Sequence, residues 1–453
     1  MDIDIADAPI FGLSSQVGGA VAIMRCSGKN CLSIAQKLFI TSKGRTRVNY
    51  NSHVMNYGFI WDEARQVILD EVYLVYFEAG RSYTGEEMIE IHCHGSTAIL
   101  QRLSEILRAL GLIPAQPGEF TRKAFLNGRI GLSQAEAINE LIESDNLRQA
   151  TIAINNVSGG LKSKIMILRH ELVDCAAHLE ATLDYPEEDI EFINQDSLLE
   201  RINGISSIID EIYRNYDRFQ LTKNGIQVAI LGAPNSGKSS LLNALLKKDR
   251  AIVTDVAGTT RDHIEENIQI DGYKFRIVDT AGLRSTSNKV EKIGIERALE
   301  FERSATLKIY LYDGTQEVDI RNSKDDCIHV LNKMDLNFSD SSLSLLQKSN
   351  VIKMSALKSE GLQNLEAWLV KNASQYLINN SDLPMLTSER QRDSMQRAGE
   401  SLKSFQNSLK NGVPMDIALV ELYEALDYLG QITGKIVTED IVDRIFEKFC
   451  IGK

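Results

Sequence analysis

The fold of this chain is decided by residues 228–240, which read VAILGAPNSGKSS. The apolar start, 228–231, predicts a buried parallel strand, and the apolar spacing of 239–246 predicts a helix. The residues between them, 232–239, match G-x-x-x-x-G-K-S. In a strand–loop–helix context, such a loop points successive backbone N–H groups at phosphate oxygens. The motif therefore predicts a phosphate-binding loop, against the alternative of a chance glycine-rich turn.

Individual residues of this loop have separate predicted tasks. Lys238 can bridge the terminal phosphates of a nucleotide and so take part in catalysis, and Ser239 can offer its hydroxyl to Mg²⁺. The start of the following helix adds positive potential where the phosphates would lie. The predicted nucleotide contacts in the loop are Asn235, Ser236, Gly237, Lys238, Ser239 and Ser240.

Two segments downstream predict contacts with the terminal phosphate and its metal ion. Asp279-Thr280-Ala281-Gly282 follows an apolar strand, 275–278, and supplies a carboxylate near the metal and a glycine N–H near the γ-phosphate. Between this motif and the loop lies a polar segment in which the Thr260 hydroxyl can complete the Mg²⁺ shell. The predicted contacts in the two segments are Thr254, Asp255, Val256, Ala257, Gly258, Thr259, Thr260, Asp279, Thr280, Ala281 and Gly282.

Two further motifs predict recognition of the base. Asn332-Lys333-Met334-Asp335 follows a predicted strand, 327–331, and Ser355-Ala356-Leu357 follows another, 351–354. The Asp335 carboxylate can accept hydrogen bonds from both N1 and N2 of guanine, a donor pair that adenine lacks. An ordinary strand-to-loop cap would explain the first motif alone. Five motifs in this order, each placed after a strand or between two of them, predict an α/β GTP-binding domain of the Ras-like superfamily.

Composition predicts an ordinary soluble protein of the cytoplasm. The chain has 453 residues, 43% of them hydrophobic and 25% charged, which is enough for about three domains. No apolar run is long enough to span a bilayer, and the start MDIDIADAPI lacks the pattern of a signal peptide. Six cysteines without C-x-x-C spacing predict reduced, mostly buried thiols. A net charge of −12 excludes nucleic-acid binding over the whole surface.

The remaining pattern predicts four segments along the chain. Residues 1–118 alternate strand and helix signals and predict a compact α+β domain. Helical periodicity then covers 132–145, where Ser133 is the predicted N-cap, and the segments near 149–182 and 196–219. After the GTPase segment it returns at 387–410, 415–430 and 438–449. We predict domain bounds at 1–118, 119–220, 221–378 and 379–453, the second and fourth forming one discontinuous all-helical domain with the GTPase domain inserted.

Three smaller features were weighed against simpler explanations. His92-Cys93-His94 has no third ligand nearby, so core or turn histidines are favoured over a metal site. Few residues separate Asp313 from Asp326, which predicts that the usual crossover helix is trimmed. Two basic groups are candidates for nucleic-acid contact, with solvated helix charges as the favoured alternative. The groups are Lys162, Lys164 and Arg169, and Arg390, Arg392 and Arg397.

The end of the chain, Phe449-Cys450-Ile451-Gly452-Lys453, adds a more specific signal. Together with 82–87, 120–129 and the nucleotide motifs, it resembles the MnmE (TrmE) family of tRNA-modification GTPases over the whole chain. The resemblance implies an N-terminal folate-binding and dimerisation domain, a split helical domain and an inserted GTPase domain. It also implies a homodimer that joins the flavoprotein MnmG, which carries FAD, in a heterotetramer.

The reaction implied by the resemblance is addition of an aminomethyl or carboxymethylaminomethyl group to C5 of the wobble uridine of certain tRNAs. A tetrahydrofolate derivative, 5,10-methylene- or 5-formyl-tetrahydrofolate, is the implied cofactor. Implied folate contacts are Arg25, Glu86, Arg129 and Lys453, of which Arg129 stands where the family commonly has lysine. Residues 12–16 also depart from the family pattern. Cys450 is either a catalytic thiol or a packing anchor.

The resemblance also assigns roles in GTP hydrolysis. Leu283 lies near the position at which Ras-type GTPases carry a glutamine that orients the attacking water. The resemblance gives this role to Glu291. Asn235, Thr254, Val256 and Thr259 are the implied ligands of a K⁺ ion that neutralises developing charge. Stimulation by K⁺ and pairing of GTPase domains across the dimer are expected. A GTP-driven switch or ribosome-assembly factor without tRNA-modifying chemistry is the alternative function, and the tail cysteine and the folate-type loops favour the enzyme.

Overall fold

The chain forms two compact units in a computed structural model. The residues that the structure describes are 8–16, 18–41, 50–184, 195–249, 265–279, 303, 305–320, 326–347, 350–377, 384–436, 439–449 and 452. The first unit comprises Met1–Asn139, Val157–Leu199 and Asp393–Lys453. The second unit comprises Glu140–Asn156 and Glu200–Arg392. The predicted domain bounds at 118, 220 and 378 stay a prediction.

The first unit contains a seven-stranded sheet with the order β3-β4-β5-β6-β2-β1-β7. Its strands are β1 Ile10–Leu13, β2 Val21–Ser27, β3 Phe39–Ile40, β4 Met55–Asp62, β5 Val67–Phe77, β6 Met88–His94 and β7 Ile113–Pro114. Its helices are α1 Cys31–Leu38, α2 Thr97–Ala109 and α3 Glu119–Leu126. All pairings are antiparallel except β1 with β7. The α+β prediction is confirmed.

Helices α1 and α2 contribute to one core with this sheet. Leu74 and Ile91 from the strands and Leu103 from α2 are fully buried in it. The alternation of strand side chains brings Arg25 and Glu90 to the other face, because both alternate with core residues. Strand β4, which carries Trp61, was not predicted.

Four helices follow along the chain, α4 Leu132–Glu143, α5 Leu147–Val157, α6 Gly160–Asp184 and α7 Gln195–Asn224. The single helical segment predicted near 149–182 is wrong, because the chain turns at Ser158 and Gly159 and begins a new helix. The predicted N-cap role of Ser133 is also wrong. Helix α4 already begins at Leu132, and the buried Ser133 hydroxyl finds no partner within the part of the chain that the structure describes.

The second unit is built on a six-stranded sheet with the order β13-β12-β11-β8-β10-β9. Its strands are β8 Ile226–Leu231, β9 Glu265–Ile270, β10 Tyr273–Asp279, β11 Leu307–Asp313, β12 Cys327–Asn332 and β13 Val351–Lys353. All neighbours are parallel except the edge strand β9, which is antiparallel to β10. Its helices are α8 Lys238–Asp249, α9 Asp340–Leu345 and α10 Leu362–Tyr376. Trp368 of α10 packs against the core.

This topology brings the carboxyl ends of β8, β10, β11, β12 and β13 to one edge, where ligands bind in open α/β sheets. The fold predictions around 228–246, 275–278, 327–331 and 351–354 are confirmed to within a few residues. Between β11 and β12, the described residues 314–320 contain no helix. This agrees with the predicted short connection.

The last helices are α11 Glu389–Lys410, α12 Met415–Thr433 and α13 Glu439–Phe446. In the first unit α12 packs against α6, and the Arg169 guanidinium donates to the carbonyl of Leu426 at 3.0 Å. Helices from either side of the nucleotide-binding segment therefore pack together, as expected for a discontinuous helical domain. Among the helices of the described residues, none is long and apolar enough to cross a membrane.

The cysteines were predicted to be buried, reduced thiols. The five that the structure describes are buried and form no disulfide with one another: Cys26, Cys31, Cys93, Cys175 and Cys327. Burial raises the pKa of Cys31 to about 12 and that of Cys93 to about 11. A thiol whose pKa lies this high stays protonated and unreactive at neutral pH.

Candidate functional site

The loop between β8 and α8 borders a cavity of about 530 Å³ at the carboxyl edge of the sheet. The cavity is lined by Pro234, Asn235, Gly237, Lys238, Ser239, Ser240 and Lys333. Gly237 has φ +99°, and a Cβ there would lie 2.2 Å from Nδ2 of Asn332. Only glycine therefore fits at this position, which explains the second glycine of the motif.

Lys238 and Ser236 lie at the centre of the loop. The Lys238 ammonium donates to the carbonyls of Gly232 and Ala233 at 2.9 and 2.8 Å. The Ser236 hydroxyl is buried and lacks a hydrogen-bond partner among the described residues. Ser239 also lines the cavity, and its hydroxyl is of the oxygen-donor type that Mg²⁺ prefers.

Asn332 ties the loop to the segment that follows β13. Its amide nitrogen donates to the carbonyl of Ser236 at 2.8 Å, and its amide oxygen accepts from the N–H of Ala356 at 2.9 Å. The motif residue therefore connects two of the predicted nucleotide-binding segments without needing to touch a ligand. Leu357, the last residue of that segment, is largely exposed.

Asp335 has the geometry and charge expected of a base-reading carboxylate. Its Oδ1 accepts a hydrogen bond from the Ser355 hydroxyl at 2.7 Å. This hydrogen bond, helped by Lys358 and Lys333, lowers the pKa of the Asp335 carboxyl. Because the group stays ionised at neutral pH, it can accept from two N–H donors at once. Lys333 in turn pairs with Asp313 at 2.6 Å.

Several predicted residues lie outside the described residues. They are Thr254, Asp255, Val256, Ala257, Gly258, Thr259, Thr260, Thr280, Ala281, Gly282, Glu291, Cys450 and Lys453. The backbone of Asp279 is described as the last residue of β10. The assignments of the second Mg²⁺ ligand, of three K⁺ ligands and of the water-orienting carboxylate stay predictions.

A second site surrounds Arg25 in the sheet of the first unit. Its guanidinium pairs with the Glu90 carboxylate at 2.8 Å, across the β2–β6 register that places the two residues opposite each other. The same guanidinium lies 5.3 Å from the ring centroid of Tyr83 and 5.7 Å from that of Phe120. The Arg25 side chain is only 19% exposed, so it is not the solvated surface charge that an isolated arginine usually is.

The other predicted folate contacts lie around the adjoining 80–86 loop. Glu86 accepts from the Lys123 ammonium at 2.9 and 3.0 Å and from the Ser27 hydroxyl at 2.9 Å. Arg129 donates to the carbonyl of Gly80 at 3.2 Å. The carboxylate paired with Arg25 is thus Glu90, which the sequence analysis did not single out. The sequence did contain a signal for Glu90, because it is a charged residue that alternates with apolar residues in a strand.

The chain end lies against β1, next to this site. The Ser14 hydroxyl donates to the carbonyl of Gly452 at 2.9 Å. A Cβ on Gly452, which has φ +90°, would lie 1.9 Å from the Leu13 carbonyl oxygen, so no larger residue fits. Gly12, which pairs with Arg25 in the sheet, is also close to Gly452. Gly452 therefore lies beside the Arg25 site.

The histidine motif gives no metal site. His94 pairs with Asp70 at 2.8 Å, and its side chain is 66% exposed rather than part of a core or turn. Nε2 of His92 lies 3.6 Å from Glu90. Within the described ranges, no group of three His, Cys, Asp or Glu side chains could hold a metal ion.

Some of the cations considered for tRNA contact are engaged within the chain. Besides Arg169, Arg392 lies 5.3 Å from the ring of Tyr216, and Arg397 lies 5.8 Å from that of Tyr428. These contacts favour the alternative interpretation, in which the helix charges serve the fold.

A largely parallel sheet with a G-x-x-x-x-G-K-S loop at its carboxyl edge defines the second unit as a P-loop nucleotide-binding module. Comparison with known proteins narrows this class. The model of the GTP-binding protein TrmE N-terminus matches residues 9–129, and the MnmE helical domain model matches residues 132–450. The chain belongs to the MnmE family of tRNA modification GTPases.

Individual relatives cover nearly the full chain. The tRNA modification GTPase MnmE of Clostridioides difficile (strain 630) is 38% identical over 458 residues, covering 99% of each chain. That of Aquifex aeolicus (strain VF5) is 38% identical over 98% of this chain and 99% of its own. The G domain of the T. maritima FeoB iron transporter is 24% identical over 33% of this chain and 99% of its own, with a TM-score of 0.23.

Proposed function

We propose that this GTP hydrolase acts with the flavoprotein MnmG to install an aminomethyl or carboxymethylaminomethyl group at C5 of uridine 34 in certain tRNAs. The observation that carries the proposal is the full-length match to tRNA modification GTPases, which covers 99% of the chain. The site that supports it is the cavity bordered by Lys238 and Ser239, because the residues of the motif converge there. The reaction takes place in the cytoplasm, on a homodimer joined to the flavoprotein.

GTP is held by groups with separate tasks. Backbone N–H groups of the loop and Lys238 bind the phosphates, while Asp335 and the backbone after Ser355 select guanine. Ser239 would hold Mg²⁺, which supplies positive charge at the phosphate oxygens when bound. The exposed hydroxyl in the cavity fits this hard, oxygen-seeking ion. Thr260 is the proposed second protein ligand.

K⁺ is the proposed activating ion. Asn235 lines the cavity beside the loop, so its amide oxygen fits a cation near the phosphates. Thr254, Val256 and Thr259 would complete the site, and Glu291 would orient the attacking water. The proposal predicts faster GTP hydrolysis in KCl than in NaCl at equal ionic strength, coupled to pairing of GTPase domains across the homodimer. Equal rates in the two salts would exclude a K⁺ site.

The Arg25 site is the proposed folate site. A tetrahydrofolate carries a flat pterin and an anionic tail, and the site offers two aromatic rings, a half-buried arginine and carboxylates. These groups fit the two ends of that molecule. The cofactor would supply the one-carbon unit. Arg129, Lys453 and Cys450 are proposed to complete the site, and the position of Gly452 supports the tail residues.

Nucleoside analysis tests the proposed reaction. tRNA from cells that lack this chain should lose the C5-modified wobble uridine, and the intact gene should restore it. The Cys450→Ser variant, assayed for both modification and GTP hydrolysis, decides whether the thiol acts chemically, since a packing anchor would leave modification unchanged. Unaltered tRNA together with immature ribosomal subunits would overturn the proposal and favour an assembly factor.

A further inference from the structure

The β9–β10 hairpin of the second unit is fastened to the turn between α4 and α5, residues 144–146. The Lys274 ammonium pairs with the Asp145 carboxylate at 2.5 Å and donates to the carbonyl of Lys223 at 3.1 Å. The Lys274 side chain is only 13% exposed, whereas that of Asp145 is 52% exposed. A lysine held this far from solvent requires its partners, so this contact is more than a surface ion pair.

Two further contacts join the same elements. The Arg148 guanidinium lies 3.8 Å from the ring centroid of Tyr273, which is buried in the sheet core. The amide of Gln269, on the other strand of the hairpin, donates to the carbonyl of Asp145. Both strands are therefore held by α5 and the turn before it. We define these three contacts as the hairpin clamp.

The residues of the hairpin clamp adjoin a buried network of polar groups, which restricts the movement of the turn between α4 and α5. Asn146 accepts from the N–H of Gln149 at 2.9 Å and donates to the carbonyl of Thr222 at 3.1 Å. Glu140 accepts from Gln149 at 2.6 Å and from Lys223 at 2.7 Å. A satisfied network of this kind has few alternative arrangements in a low-dielectric interior. A displacement of the hairpin would therefore strain the contacts of α4, α5 and the end of α7.

The hairpin also occupies a particular place in the chain. Strand β9 begins at Glu265, directly after the segment that holds the predicted contacts 254–260. Strand β10 ends at Asp279, where the predicted γ-phosphate motif begins. The short hairpin thus lies in the chain between the two segments for which contacts with the metal ion and the terminal phosphate are predicted. The clamp connects them to the helical segment Glu140–Asn156, which folds as part of the same unit.

We propose that the hairpin clamp couples the nucleotide state of the P-loop module to helices α4 and α5, with Asp145 and Arg148 as positioning residues. The inference rests on the proposed GTPase function. When exchange of GDP for GTP shifts the hairpin, the clamp transmits the shift to the helices. Because such coupling is reciprocal, loss of the clamp also changes the ratio of GTP affinity to GDP affinity. Neither residue lines the cavity at the P-loop.

Hydrogen exchange on the full-length chain tests the coupling. GDP is compared with a non-hydrolysable GTP analogue in the unmodified chain, in Asp145→Asn with Arg148→Gln, and in the matched control Asp217→Asn on the exposed side of α7. The unmodified chain and the control should show analogue-dependent exchange in peptides covering 141–157. The clamp variant should lose that difference, and its ratio of GTP-analogue to GDP affinity should change by about 5-fold.

Other outcomes separate the two proposals. If the clamp variant keeps the analogue-dependent exchange in 141–157, or if the unmodified chain binds GTP without showing it, the coupling is wrong and the GTPase function stands. If the unmodified chain binds no guanine nucleotide, the proposed function is wrong and the coupling falls with it. Asp145→Asn alone, an isosteric change, gives the same comparison should the double variant unfold.

Discussion

The two candidate sites would bind anionic ligands with different chemical groups. Around Lys238 the groups are backbone N–H donors and one lysine, and the glycines of the motif create the space. Around Arg25 the charged groups are side chains that already pair with one another, Arg25 with Glu90 and Lys123 with Glu86. At the first site only Lys238 must exchange its hydrogen bonds to the carbonyls of Gly232 and Ala233 for contacts with phosphate, while the second site must exchange ion pairs between charged side chains.

The difference shows where binding energy would come from. Preorganised backbone donors need no rearrangement when a charge arrives. An arginine that is already paired with a carboxylate gains only the difference in interaction energy between the ligand and that carboxylate. Its contribution to affinity is therefore smaller, and its contribution to selectivity among ligands is larger. We therefore expect losses at the P-loop to exceed losses at the Arg25 site.

The largest effect is expected for Lys238→Ala. Removing the ammonium leaves the phosphate charge without its side-chain cation, so GTP hydrolysis should fall by about 100- to 1,000-fold. Steady-state phosphate release measures it. Lys247→Ala, an exposed lysine on the same helix, is the matched control and should keep its activity. A loss below about 10-fold would contradict the preorganised-site description.

Asp335→Asn should be next in size. The amide offers one acceptor and one donor where the carboxylate offers two acceptors, so guanine loses a charge-assisted pair and affinity for GTP should drop by about 100-fold. Xanthine carries a carbonyl in place of the N2 amino group, so xanthosine triphosphate should bind the variant better than GTP. Calorimetry with both nucleotides tests this, and an unchanged order of affinity would remove Asp335 from base recognition.

Glu90→Gln compared with Glu86→Gln tests the second site. Because the Glu90 carboxylate competes with an anionic ligand for Arg25, its neutralisation should raise affinity for 5-formyl-tetrahydrofolate by about 10-fold. Glu86→Gln should have a smaller effect, because Glu86 pairs with Lys123 rather than with Arg25. Fluorescence titration with the folate measures both variants. The reverse ranking would show that the carboxylate of the 80–86 loop, rather than that of β6, faces the ligand.

The smallest effect concerns His94 on the same sheet. Its hydrogen bond with Asp70 and the charge of that carboxylate raise the pKa of His94 above 6.5. The pair of protonated His94 with Asp70 therefore stabilises the folded state fully at pH values below the pKa of His94 in the unfolded chain. This contribution is lost as the pH rises through the higher pKa of His94 in the folded chain. NMR titration should show a pKa above 6.5 that returns toward it in Asp70→Asn. Identical titrations would contradict the pairing.

The difference between the backbone groups of the P-loop and the paired side chains of the Arg25 site also explains which residues could be predicted from the sequence. Strand–glycine–helix spacing gives Gly237, Lys238 and Ser239 directly, because backbone geometry dictates the residue types. The Arg25–Glu90 pair depends on the register of β2 against β6, which no local pattern specifies. The family resemblance pointed to Glu86 instead. The hairpin clamp escaped prediction for the same reason, since Asp145 and Lys274 are 129 positions apart.

The two tryptophans of the chain fall one in each unit, Trp61 on β4 and Trp368 on α10. Each compact half thus carries its own intrinsic fluorophore. A Trp61→Phe substitution leaves emission from the P-loop half alone, and Trp368→Phe leaves that of the other. Urea titrations of the two variants would show directly whether the halves melt in one transition or in two.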